Sequence, residues 1–334
     1  ALADAVGDSC QCFGPVTVLR CGAAHGSGGG HAMILFGGVR LGRRATVRAA
    51  SGEVLVIIRH VTTEPSTTDP IERAHLTGVS APSPPIHRYD AAAHLSAIAR
   101  RHWIPVWSLP DGQVWQQKVL QYPICLIVVS PEYDRFYGVA TGLSTVELSG
   151  DGWVVGTMLQ PAAGRLLYRG PVSELTDRHV ELATVPGLAD ADLPTRIRAV
   201  MGSAPTDPAR HAAAIRFVED VLAAHLPVDG VGLQVNAVVE RVESDPTIHR
   251  VEDLAAVFGL SERQLQRITR DRLGLTPKWL IQRRRLHDAA LRLKQGASSL
   301  ADLAYELGYS DQAHFTRDFS RVAGTTPGRY LADQ

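Results

Sequence analysis

Asp253-Leu254-Ala255 followed by Gly259-Leu260-Ser261 recurs further along the chain as Asp302-Leu303-Ala304 followed by Gly308-Tyr309-Ser310. After each copy the apolar spacing predicts a second amphipathic helix, over Glu262–Leu273 and Asp311–Val322. A helix, a tight turn containing Gly, then a capping Ser that opens a second helix is the layout of a helix-turn-helix unit. Gly259 and Gly308 suit the turn because glycine adopts positive φ at little cost. Ser261 and Ser310 are placed to accept hydrogen bonds from the orphan N–H groups of the following helix. The spacing assigns Leu254, Val257, Leu265 and Ile268 to the core of the first unit, and Leu303, Leu307, Phe315 and Phe319 to that of the second.

Charge around the first copy points to phosphate. Residues 263–285 hold Arg263, Arg267, Arg270, Arg272, Lys278, Arg283, Arg284 and Arg285 against Asp271 alone. A solvated helix face would mix the signs, whereas a cluster of one sign beside a reading helix suits a polyanion. The whole chain has Lys+Arg 34 and Asp+Glu 34, net charge +0, so any nucleic-acid surface must be local. Lysine occurs only at Lys118, Lys278 and Lys294, which leaves most basic contacts to forked guanidinium groups.

These stretches resemble the AraC/XylS family of bacterial transcription regulators, from about Val235 to Leu331. Carrying the resemblance are Leu265-Gln266-Arg267, Gly274-Leu275-Thr276-Pro277, Arg285-Leu286, Gly308-Tyr309-Ser310-Asp311-Gln312, His314-Phe315, Arg317-Asp318-Phe319 and Gly324-Thr325-Thr326-Pro327. It implies two such units joined by a long central helix, about Pro277–Gln295, which would hold the reading helices about one duplex turn, ~34 Å, apart. It also implies base-reading positions at Arg263, Gln266 and Arg267 in the first unit, and at Gln312, Ala313, His314, Thr316 and Arg317 in the second. Arg can fork onto guanine and Gln can pair with adenine. Phosphate contacts are implied at Ser261, Arg270, Lys278, Arg283, Arg284 and Ser310. Two positions depart from the family pattern. Thr269 stands where the family usually has Phe, so looser packing of the first unit is expected unless Trp279 fills the gap. Ala313 offers only an apolar surface, such as to a thymine methyl.

Upstream the texture is β-rich. Short runs at Val106–Leu109, Cys125–Val129, Thr145–Leu148, Trp153–Leu159 and Arg165–Tyr168 alternate with Gly and Pro turn signals, as in an antiparallel sandwich or small barrel. This segment, Trp103 to about Gly187, resembles the cupin-like N-terminal domains of some of these regulators, which implies a ligand-sensing or dimerising role. Helical patterns follow at Leu193–Met201, Ala209–Leu226 and Leu233–Val242. The first 90 residues read as an irregular extension, with one strand at Glu53–Val61 and a linker holding Pro65, Pro70, Pro82, Pro84 and Pro85.

The fold class is therefore α+β and multidomain, and 334 residues leave room for two or three domains. The expected division is 1–90 extension, 91–187 cupin-like β-sandwich or barrel, 188–230 helical linker, and 231–334 double helix-turn-helix. A catalytic cupin metal site is not expected, because residues 103–187 hold only one histidine, His179, besides His102 at the edge. Cys10, Cys12, Cys21, His25 and His31 lack the usual zinc spacing, and Gly37 to Gly42 lacks the Lys and Ser/Thr of a phosphate loop. A methyl-accepting DNA-repair protein would need a four-Cys pattern that is not matched, and non-specific DNA binding is the remaining alternative. Apolar runs such as Val54–Ile58 and Ile124–Val129 are too short to span a bilayer. The expectation is a cytoplasmic, nucleoid-associated bacterial regulator with no catalytic residues, metal or cofactor. Its partners would be double-stranded DNA, a small-molecule effector, RNA polymerase and a second copy of itself, with no membrane.

Overall fold

The computed structural model describes residues 84–120, 122–296 and 299–332. Nearer the amino end it describes four strands, β1 (Cys12–Phe13), β2 (Val16–Cys21), β3 (Thr46–Ala50) and β4 (Glu53–Arg59). These four pair antiparallel in the order β1-β2-β4-β3. One strand had been expected in this stretch, at Glu53–Val61. The remaining three escape a periodicity reading because Gly and polar residues break up the sequence between them. Cys10, His25, His31 and the Gly37–Gly42 segment lie outside the described residues.

Residues 70–334 form a second compact unit. Its strands are β5 (Ile86–Asp90), β6 (Ala99–Ser108), β7 (Val114–Leu120), β8 (Leu126–Val129), β9 (Asp134–Tyr137), β10 (Leu143–Ser149), β11 (Asp151–Trp153), β12 (Val155–Leu159) and β13 (His179–Val180). Seven build one antiparallel sheet in the order β11-β6-β12-β8-β9-β13, with β5 also on β6. β7 and β10 form a separate ribbon with unbroken register from Leu143↔Leu120 to Ser149↔Val114. An antiparallel β-rich region therefore precedes the helices, as expected. Ile86–Asp90 belongs to the sheet, so the linker reading does not hold as far as residue 90.

Arg165–Tyr168 is not a strand but the end of α1 (Ala163–Tyr168). Gly164 lets this helix lie against Cys125, whose Sγ would come within 2.6 Å of a Cβ there, and Leu167 is fully buried. Four residues, Arg-Leu-Leu-Tyr, are too few to show either period. The other helices are α2 (Leu193–Met201), α3 (Pro208–Ala223), α4 (Gly230–Ser244), α5 (Val251–Val257), α6 (Glu262–Leu273), α7 (Pro277–Lys294), α8 (Leu300–Glu306), α9 (Gln312–Ala323) and α10 (Pro327–Ala332).

Two large hydrophobic cores, and a small third cluster of Tyr122, Ile124 and Met158, lie among the described residues of this unit. The larger is continuous from Ile98, Phe136 and Leu159 of the β-rich region, through Val218 and Val239, to Leu254, Leu265 and Ile281. The smaller holds Leu286, Leu293, Leu303, Leu307, Phe315 and Phe319. The first helix-turn-helix unit thus shares its core with the sheet, and the second has its own. The boundary falls inside α7, between Ile281 and Leu286.

Candidate nucleic-acid interface

The repeated motif folds the same way twice. At the end of α5, Gly259 N–H donates to Ala256 O at 3.2 Å and Leu260 N–H to Ala255 O at 3.0 Å. At the end of α8, Gly308 donates to Tyr305 O at 2.9 Å and Tyr309 to Ala304 O at 2.9 Å. Both are Schellman turns, which need a left-handed residue after the helix, and Gly259 and Gly308 sit at φ +63° and +77°. Val257 is not a core residue as expected but 46% exposed. It is the last residue of α5, and Phe258 and Leu260 of the turn pack inward instead. The other seven assigned positions are buried, Ile268 partly.

The caps differ between copies. Ser261 Oγ accepts from Gln264 N–H at 3.3 Å while Gln264 Oε1 accepts from Ser261 N–H at 2.9 Å, a reciprocal capping box. In the second copy Asp311, not Ser310, is the cap, its Oδ1 accepting from His314 N–H at 2.7 Å. That N–H, with Ser310 Oγ, holds the Asp311 carboxyl below its ordinary range. A carboxylate also complements the positive end of the helix, so it displaces the neighbouring hydroxyl as cap, and α9 starts one residue late.

Leu265, Thr269 and Leu273 face inward on α6, which turns Arg263, Gln266, Arg267 and Arg270 outward, all exposed. Thr269 is fully buried and satisfies its hydroxyl within the helix, donating to Leu265 O at 3.0 Å, while Trp279 packs against the same core. On α9 Phe315, Phe319 and Ala323 face inward, and Gln312, Ala313 and Arg317 are exposed. Thr316 and His314 are half-buried. The His314 ring meets Tyr309 edge-on at 5.2 Å, with Nδ1 3.2 Å from Ser310 Oγ, so it is partly committed to its own unit.

The basic cluster divides. Ser261, Arg270, Lys278 and Ser310 of the implied phosphate set are exposed. Arg283 and Arg284 are not: they are 3% and 7% exposed. Arg284 donates to Ile248 O at 3.0 Å and pairs with Asp288 at 2.9 Å. Arg283 donates to Gly142 O at 3.3 Å and lies over the Trp279 ring, and burial pulls its guanidinium down to about 9 against the opposing pull of Asp177. Arg285 donates to His249 O at 2.8 Å, and Arg272 pairs with Asp229 at 2.9 Å. These four guanidiniums bind the helices to their surroundings, so the phosphate assignment of Arg283 and Arg284 is corrected. Their buried places on α7 follow from its having apolar neighbours on several sides, which a count of charges could not reveal.

Other chemistry is sparse. Cys125 is buried and its thiol is pushed up to about 12 by desolvation, the opposite of what a methyl-accepting thiolate needs. Buried His102 sits between Thr157 Oγ1 at 2.9 Å and Glu219 Oε1 at 3.3 Å, tying the sheet to α3. Among the described residues no group of His, Cys, Asp and Glu could hold a metal, and no helix is long and apolar enough to cross a membrane.

Comparison with known proteins agrees with this geometry. Residues 254–333 match a family model described as a helix-turn-helix domain, and residues 87–181 match a domain of unknown function (DUF6597). The chain is 37% identical over 81 residues to the probable transcription factor PqrA of Proteus vulgaris, covering 24% of this chain and 66% of that protein. It is 38% identical over 74 residues to the transcriptional activator RhaS of Escherichia coli, covering 22% of this chain and 27% of that one. The chain thus spans less than two thirds of the length of these relatives. The structure of ToxT from Vibrio cholerae is similar over 75% of this chain and 98% of that one, at 12% identity and a TM-score of 0.34. Residues 254–333, with their twofold turn, caps and outward basic faces, are a double helix-turn-helix domain.

Proposed function

We propose that the protein is a sequence-specific transcription regulator of the AraC/XylS type, in which α6 and α9 enter successive major grooves of one DNA face. Arg263, Gln266 and Arg267 read bases from α6, and Gln312, Ala313, His314, Thr316 and Arg317 from α9. Ser261, Arg270, Lys278 and Ser310 hold phosphates. One observation carries this reading: the same helix, Schellman turn and capped helix occur twice, joined by one unbroken helix and presenting exposed Arg and Gln. The eighteen residues of α7 span about 27 Å, close to one duplex turn.

In this reading the β-rich region is a cupin-like sensor and the site of homodimer formation, on the domain division 91–187, 188–230 and 231–334. The protein works in the bacterial cytoplasm at the nucleoid and contacts RNA polymerase. It carries out no catalytic step and needs no cofactor.

Gel shifts with its own upstream region at rising salt test this. A regulator keeps that DNA at ~0.15 M salt, whereas phosphate binding alone is lost there without sequence preference. Arg267→Ala should relax readout at one position, by ~1–3 kcal/mol. Equal weakening on every sequence would move Arg267 to the phosphate set.

A further inference from the structure

Between Ile281, in the larger core, and Leu286, in the smaller, one turn of α7 carries Gln282, Arg283, Arg284 and Arg285, with no apolar side chain among them. All four are tied to segments outside α7. Gln282 Nε2 donates to Asp318 Oδ2 on α9 at 3.4 Å, and Arg283 to Gly142 O, next to β10. Arg284 and Arg285 donate to the consecutive carbonyls of Ile248 and His249, at 3.0 and 2.8 Å. Arg285 also carries its Cζ 5.5 Å from the centroid of the Tyr309 ring, close enough for a cation–π contact. His249 follows Ile248 of the larger core, and Tyr309 belongs to the smaller, so this one guanidinium spans the seam between the two helix-turn-helix units. Beside it the His249 ring meets the Gly308 turn so closely that a Cβ there would fall 2.8 Å from Nδ1.

We propose that Arg285 is a positioning residue for paired reading, setting α9 at a fixed rotation relative to α6, with Gln282 as a second arm onto α9. This rests on the reading of DNA by both helices given above. Apolar contact is non-directional and lets two surfaces turn against each other. A planar guanidinium held by a carbonyl on one side and a ring on the other admits far fewer arrangements. The two cores do not merge across this seam, so its angle depends on the polar contacts that cross it. Gln282 bears on the same angle, because Asp318 follows the reading residue Arg317 and its other oxygen accepts from Arg321 at 2.9 Å. Arg285 and Gln282 act through the placement of α9, not by touching DNA. One extra base pair turns the second element by roughly 35° and moves it by ~3.4 Å, so a firm angle between the units shows as intolerance of that change.

The test uses the duplex that the full chain enriches from a random pool, and versions of it with one base pair more or fewer between the two elements. Fluorescence anisotropy at fixed salt gives the ratio of affinities for the selected and the altered spacing. The parent should prefer the selected spacing by about tenfold or more. Arg285→Met, which keeps the stem and loses the guanidinium, should cut that preference to about threefold or less, with Arg285→Lys between the two. Gln282→Ala should lower it by about twofold. Arg292→Ala, which breaks an exposed pair with Glu306 inside the second unit, should leave it unchanged. Loss of folded protein weakens both spacings alike, so the ratio reports positioning rather than stability. Circular dichroism and the melting midpoint show whether each variant folds. An unmoved ratio in folded Arg285→Met overturns the proposal, as does an equal fall in Arg292→Ala; where Arg285→Met does not fold, an unmoved ratio in Gln282→Ala overturns it. A parent that enriches single elements, or none, overturns the regulator reading and the positioning role with it. Paired enrichment by the parent with an unmoved ratio in the variant overturns the positioning role alone.

Discussion

Arg272, in the last turn of the first recognition helix, places Nη1 2.9 Å from Oδ2 of Asp229, the residue that caps α4. The other oxygen of the same carboxylate accepts from Gly232 N–H at 2.6 Å. One carboxylate thus joins α6 to the start of α4.

The Gly232 N–H chiefly, and Arg272 after it, hold the Asp229 carboxyl below its ordinary range. Asp229→Ala should cost about 1–2 kcal/mol in urea unfolding at neutral pH, mostly through the lost cap. Asp229→Asn keeps a capping oxygen and loses the solvent-screened pair, so it should cost under ~1 kcal/mol. A depressed carboxyl stabilises fully above its unfolded value, about 4, and loses that contribution as pH falls through the lower folded value. The difference between parent and Asp229→Asn should therefore close in acid.

The two turn glycines should respond unequally. Gly259 has open space around its missing Cβ, so Gly259→Ala pays only for the left-handed conformation, about 1–2 kcal/mol. A Cβ at Gly308 would come within 2.8 Å of the His249 ring, so Gly308→Ala should cost more. Thermal unfolding of the two variants gives the order directly.

Separate cores imply separable damage. Phe315 is fully buried among Tyr309 and Phe319, and Phe315→Ala should cost ~3–5 kcal/mol there. Hydrogen exchange should quicken in α8–α10 while the sheet strands stay protected. Leu265→Ala, in the shared core, should quicken exchange in α6 and in the sheet together.

The charges should separate by function. Removing exposed Arg270 or Lys278 should lower the slope of log affinity against log salt by about 0.9 each if each meets one phosphate. Arg284→Ala should leave that slope and instead destabilise the fold by ~3–5 kcal/mol, because Asp288 and Ile248 O lose a buried partner.

Sequence alone made the carboxyl-terminal third legible because its signals are local. Gly259 and Gly308 demand a particular turn, Ser261 caps its own helix, and Phe315 and Phe319 recur at helical spacing. The fate of Arg283 and Arg284 was not legible. It depends on Gly142 and Ile248, brought to α7 by the fold from distant positions. The same holds for β5 and β13, which become strands by pairing with β6 and β9 rather than by any pattern of their own. Arg165–Tyr168 misled because four residues carry no period, and Gly164 against Cys125 decided the matter in three dimensions.

Sequencing the duplexes that the full chain retains from a random pool tests the central claim most directly. Paired reading by α6 and α9 predicts two enriched elements centred about 10–10.5 base pairs apart, with Arg267→Ala degrading one and Arg317→Ala the other. A single enriched element, or none above the unselected pool, would contradict it.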